Sequence, residues 1–85
     1  MEMGRLVNRS VDVRTSQRGT PEAVLLDDRW VEIAGIEERW RDTGCWWSGE
    51  REKLFYRLRI ARGGLLEIYR ETRCPGPWVL YRIYD

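Results

Sequence analysis

Leu54-Phe55-Tyr56-Arg57-Leu58-Arg59-Ile60 is the stretch that decides the fold. In an extended chain Leu54, Tyr56, Leu58 and Ile60 fall on one side and Phe55, Arg57, Arg59 and Ala61 on the other. That period of two marks a β-strand with one apolar face. Two further runs follow: Leu65-Leu66-Glu67-Ile68-Tyr69-Arg70 and Trp78-Val79-Leu80-Tyr81-Arg82-Ile83-Tyr84. Arg62-Gly63-Gly64 supplies a hairpin loop between the first two. Thr72–Pro77, with its Cys-Pro-Gly-Pro sequence, admits no regular structure and makes the next turn. In the second run Leu66 and Ile68 share one face, and Leu65, Glu67 and Tyr69 the other. In the third, the apolar set Val79, Tyr81 and Ile83 is expected to face away from Trp78, Leu80, Arg82 and Tyr84.

Upstream, Leu6–Thr15 alternates, with Val7, Arg9, Val11 and Val13 set among polar residues, and reads as a first strand. Ser16–Pro21 is turn chemistry. Glu22–Leu26 reads as a second strand, Asp27-Asp28-Arg29 as a tight hairpin connection, and Trp30–Ile36 as a third strand with Val31 and Ile33 on one face. Glu37–Gly49 has two readings. Ile33, Ile36 and Trp40 have helical spacing, which suits a short helical turn ended by Gly44; a bent continuation of the third strand fits equally. The chain is thus a single domain, residues 1–85. It has a leader at 1–4, three strands over 5–36, a connecting segment at 37–53 and a three-stranded antiparallel sheet over 54–85. About six short strands joined by tight turns argue an all-β fold, a small SH3-like barrel or sandwich.

A chain of 85 residues forms a thin core, but five Trp, four Tyr and one Phe compensate with large side chains. Net charge is +1, which gives no overall attraction to nucleic acid or to an anionic membrane. The distribution is uneven: residues 1–20 carry +2, residues 21–44 carry −4 and residues 45–85 carry +3. Fourteen of the fifteen cations are arginine, whose planar fork stacks on rings and pairs with carboxylates and phosphates. No apolar run reaches the roughly 18 residues of a membrane span, and no signal-peptide pattern opens the chain, so a cytoplasmic protein is expected. Cys45 and Cys74 are then expected to be reduced thiols.

Chemistry is constrained by what is missing. Without histidine the chain lacks Ser-His and Cys-His pairs and the commonest general base. Two cysteines alone do not make a zinc site. The carboxylate pairs Asp27-Asp28 and Glu37-Glu38 are sequence neighbours that do not converge on one atom. Gly63-Gly64 lacks the lysine and hydroxyl residue of a phosphate loop. The expectation is a non-enzymatic protein without metal or cofactor.

Binding is the better prospect. With Leu54, Tyr56, Leu58 and Ile60 in the core, Phe55, Arg57 and Arg59 face outward and are expected to share that face with Tyr69, Trp78, Arg82 and Tyr84. Rings that stack on bases and arginines that pair with phosphates would suit single-stranded nucleic acid. The ordinary alternative is that aromatic, Arg–ring and Arg57 or Arg59 to Glu67 pairs simply stabilise the sheet. A second surface is offered by Trp40, Trp46 and Trp47. Adjacent Trp46 and Trp47 point to opposite faces of a strand, so one is free to anchor a protein partner or a second copy, with the acidic segment Asp27–Asp42 beside it.

Glu38-Arg39-Trp40-Arg41, Trp46-Trp47, Phe55-Tyr56-Arg57-Leu58, Glu67-Ile68-Tyr69-Arg70 and Trp78 through Asp85 together carry a resemblance. They resemble a small bacterial domain of unknown function with the pattern WRxxGxWW…YYRV…ELYR…WYLYRVYD. The similarity spans residues 30–85. This chain has Phe55 where the pattern has Tyr, and a Cys-Pro-Gly-Pro turn where others have charged, Gly-rich ones. The resemblance implies an accessory role in DNA repair beside Y-family-like polymerase subunits, and it transfers no site residues.

Overall fold

The computed structural model describes residues 5–42, 51–72 and 76–84. Seven antiparallel strands form one curled, half-barrel sheet: β1 (Arg5–Val11), β2 (Val13–Thr15), β3 (Pro21–Leu26), β4 (Arg29–Asp42), β5 (Lys53–Ile60), β6 (Leu65–Glu71) and β7 (Trp78–Tyr84). Their order across the sheet is β1-β7-β6-β5-β4-β3-β2. The described residues contain no helix. The strand count exceeds the expected six because the first strand breaks at Asp12. β1 pairs with β7 and β2 with β3, so one kinked stretch of chain lies at both ends of the strand order. Across the kink, the Leu25 N–H donates to the Asp12 carbonyl at 2.9 Å.

The β3–β4 connection is a two-residue hairpin turn at Asp27-Asp28, with φ of 48° and 66°. Both residues occupy the left-handed region, which aspartate tolerates and which matches the twist of the flanking strands. Ser16 organises the β2–β3 turn by accepting hydrogen bonds from the Arg18 and Thr20 N–H groups at 3.2 Å each.

The inner face of the curl holds the core: Val24, Val31, Tyr56, Leu58, Ile60, Leu66, Ile68, Trp78 and Leu80, with Val7, Val11, Val13, Leu54 and Ile83 packed against it. β5 therefore points Leu54, Tyr56, Leu58 and Ile60 inward, as its alternation requires. Trp78 closes one side of the core, with Tyr56 edge-on at 5.7 Å and the Arg70 guanidinium 4.7 Å from its ring centre.

One open reading is decided and one expectation needs correction, and β-bulges bear on both. Of the two readings of the segment from Glu37, the continuation of the strand holds as far as Asp42. Opposite β5, Ile33 faces Ile60, Gly35 faces Arg59, Ile36 faces Leu58 and Glu38 faces Arg57, so Ala34 and Glu37 are extra residues. Each bulge adds one residue to the period of two. Ile33 and Ile36 thereby stay on one face with a spacing that imitates a helix. The correction concerns β7. Trp78 and Leu80 are buried in the core, whereas Val79 and Tyr81 lie on the outer face. Ile68 faces Leu80 and Glu67 faces Arg82, which leaves Tyr81 as the bulged residue. Beyond it the alternation flips, so Ile83 packs inward while Arg82 and Tyr84 face outward as expected. β1 follows the same irregularity with Val7 and Asn8 opposite Tyr81, and Asn8 takes φ of 56°. Of the expected connecting segment, residues 43–50 lie outside the described residues, as do Cys45, Trp46, Trp47 and Cys74.

Leu58 is fully buried at the centre of this arrangement. Leu58→Ala is expected to lower the unfolding free energy by about 2–5 kcal/mol in urea titration. Ile36→Ala, at a position 42% exposed, is expected to cost a small fraction of that.

Candidate functional site: an aromatic and charged sheet face

The outer face of β4, β5, β6 and β7 is organised in rows that run across the strands. One row is aromatic: Trp40 faces Phe55, Phe55 faces Tyr69 and Tyr69 faces Val79. Phe55 is its centre. Trp40 stacks on it at 5.2 Å with 4° between the ring planes, Tyr69 lies tilted at 4.9 Å and Tyr81 meets it edge-on at 5.4 Å. These are the offset and edge-to-face arrangements that aromatic quadrupoles favour. The bulge in β7 is what brings Tyr81 into the cluster. Phe55 lies on the predicted face, but its neighbours cover it to 7% exposure, so it is not a free stacking ring. Trp40, Tyr69 and Tyr81 remain half-buried around it.

The next row is a ladder of alternating charge: Glu38 faces Arg57, Arg57 faces Glu67 and Glu67 faces Arg82. Arg57 donates from Nε to Glu67 Oε2 at 2.9 Å, and its Nη1 lies 3.4 Å from Glu38 Oε1. Its guanidinium also sits 5.8 Å from the ring centres of both Trp40 and Tyr84. Glu67 is only 3% exposed and accepts a second hydrogen bond from the Tyr84 hydroxyl at 3.3 Å. The hydrogen bond to Glu67, followed by the nearby carboxylate charges, outweighs desolvation and raises the Arg57 pKa further above its ordinary value. The Arg82 pKa is raised too, first by its hydrogen bond to Tyr81, over whose ring the guanidinium lies at 5.3 Å.

A third row, Asp42–Lys53–Glu71, repeats the alternation on the far side of the rings, with Lys53 Nζ 5.3 Å from the centre of Tyr69. Arg59 pairs with Glu37, the bulged residue of β4. It reaches across Gly35, where a Cβ would stand 2.7 Å from the Arg59 Nη2. The charge segregation of the sequence is thereby resolved in space. Acids of the middle segment (Glu37 and Glu38 on β4) lie against cations of the C-terminal sheet (Arg57 and Arg59 on β5).

Six of the seven outward candidates, Phe55, Arg57, Arg59, Tyr69, Arg82 and Tyr84, thus fall on one face, with Trp40 beside them; the seventh, Trp78, is in the core. Sequence reasoning anticipated the Arg57–Glu67 pair. It missed Tyr81, Glu37 and Glu38, because each owes its place to a bulge that period-two reading passes over. Beside Tyr69 a notch of about 220 Å³ is lined by Lys53, Arg70, Glu71, Pro77 and Val79. Among the described residues no group of three His, Cys, Asp or Glu side chains is placed to hold a metal ion.

Comparison with known families is decisive at the level of kinship. The model of one family, a domain of unknown function designated DUF6504, matches residues 3–85. The chain belongs to that family. Neither the curated proteins nor the solved structures yielded a match to this DUF6504 chain.

The ladder makes a direct prediction about stability. Arg57→Ala strands the buried Glu67 carboxylate and is expected to cost about 3 kcal/mol, the low end for an orphaned buried charge because water still reaches part of Arg57. Arg59→Ala removes a more exposed pair and is expected to cost less than about 1 kcal/mol. Chemical denaturation of the two variants at neutral pH measures the difference.

Proposed function

We propose that this chain is a non-catalytic protein-interaction module, a variant of the SH3-like barrel. Its contact surface is the outer face built around Trp40, Phe55, Tyr69 and Tyr81. The observation that carries this reading is the combination of half-buried rings with the two β5 arginines already committed to carboxylates. Arg57 is held by Glu67 and Glu38, and Arg59 by Glu37. A surface that has neutralised its own charge offers little to a phosphate backbone. It does offer large, rigid aromatic area, which anchors protein interfaces. The notch beside Tyr69 is of a size to take one partner side chain.

The partner class follows from the family resemblance: a Y-family-like polymerase subunit of cytoplasmic, mutagenic DNA repair. Binding of single-stranded nucleic acid by the same face is the weaker reading, although Lys53 over Tyr69 and Arg82 over Tyr81 place cations beside rings. Recruiting Arg57 to a phosphate there would take it from a buried carboxylate, at the cost described above.

Calorimetric titration of the chain into a purified polymerase subunit from the same organism tests the proposal. Complex formation that changes little between low and moderate salt is expected. Trp40→Ala combined with Tyr81→Ala should weaken it by about tenfold or more. An unweakened complex with that folded variant, or no complex at all, rejects the proposal.

A further inference from the structure

A second surface lies away from the aromatic row, at the open end of the half-barrel. There the Asp27-Asp28 and Arg62–Gly64 hairpin tips meet the start of β1 and the end of β7, and a cleft of about 960 Å³ opens. Its accessible apolar floor is Leu6, which is exposed, with half-buried Val7, Leu26 and Ile83; the buried Ile60 and Leu80 lie beneath them. Leu80 and Ile60 belong to the buried core, so this floor is the underside of the core and not an isolated surface patch. Its rim carries three guanidinium groups, Arg9, Arg29 and Arg62, against one carboxylate, Asp27. Arg9 reaches Asp27 at 4.0 Å, with both side chains largely exposed. Among the described residues, Arg29 and Arg62 have no ion pair. On the outer face every arginine of β5 is paired; here cations are left over.

Gly63 and Gly64 have φ of 107° and 96°, a backbone that side chains other than glycine's rarely adopt, and a Cβ at Gly63 would meet nothing within 4 Å. The volume lies within the roughly 300–1,000 Å³ of small-molecule sites, and the mouths of β-barrels are a preferred location for them. An apolar floor draws hydrocarbon out of water. An unneutralised arginine rim draws an anion, and the guanidinium fork matches a carboxylate with two parallel hydrogen bonds.

We propose that the cleft binds a small amphipathic carboxylate. Its unbranched alkyl chain lies against Leu6, Val7, Leu26 and Ile83, and its carboxylate rests against Arg29 and Arg62. The site shares none of the rings of the aromatic row, so it is independent of the protein-interaction reading.

NMR titration of the ¹⁵N-labelled chain with hexanoate, octanoate and decanoate tests it. Amide shifts are expected at Val7, Leu26, Gly63, Gly64 and Ile83, with affinity rising roughly fourfold for each added methylene. Octanol and octylammonium should bind at least tenfold more weakly than octanoate. Arg29 and Arg62 are both exposed, so Arg29→Glu with Arg62→Glu leaves the fold intact, checked by an unchanged spectrum elsewhere, and should lose octanoate binding by tenfold or more. No shift up to the solubility limit of decanoate would overturn the proposal. So would shifts confined to the Trp40–Tyr81 face, or equal affinity for octanol and octanoate.

Discussion

Strand β5 is paired on both edges, and its period of two is the constraint from which the other features follow. A strand hydrogen-bonded to β4 on one side and β6 on the other cannot slip by one residue without turning every side chain over. With Leu54, Tyr56, Leu58 and Ile60 committed to the core, Phe55, Arg57 and Arg59 have only the outer face. Their neighbours across the ladder are then fixed too: Trp40 and Tyr69 beside Phe55, Glu38 and Glu67 beside Arg57. Among the described residues the rings bury Phe55 and the ladder buries Glu67 without a second layer of structure. A small chain obtains in this way a partly covered second face, which its limited length would not otherwise provide.

The regular strands were legible in the sequence and the bulges were not. The β5 and β6 faces, the Asp27-Asp28 hairpin and the glycine loop follow from alternation and turn chemistry, which are local signals. Ala34, Glu37 and Tyr81 are extra residues whose effect depends on the partner strand, and no local pattern identifies them. They had two consequences. On β4 the bulge at Ala34 kept Ile33 and Ile36 on one face at a helix-like spacing, while Trp40 fell on the other. On β7 they reversed the assignment of Trp78 and Leu80, which are core, and of Val79 and Tyr81, which are not. The site was legible to the same extent. Its residues of regular strand were found, and those delivered by a bulge were missed.

Charge followed the same logic. An acidic middle and a basic C-terminal half, read along the chain, suggest two surfaces of opposite sign. Folding instead sets β4 against β5 and lets the two cancel, row by row. What remains at the outer face is aromatic area with much of its charge paired, the surface proposed above to meet another protein. The residual positive charge stands elsewhere, around the mouth of the half-barrel, where Arg29 and Arg62 border an apolar floor. The two surfaces differ in chemistry because their arginines differ in whether a carboxylate lies opposite.

The most direct test of this account is fluorescence anisotropy of labelled single-stranded and duplex DNA titrated with the chain at low and moderate salt. If Arg57 and Arg59 are consumed by Glu38, Glu67 and Glu37, only Lys53 and Arg82 among the described residues stand as cations beside the rings of the outer face, too few to release many counterions from phosphates, and no steeply salt-dependent binding is expected. Binding that favours single strands, weakens sharply with salt and disappears in Arg59→Ala would contradict it.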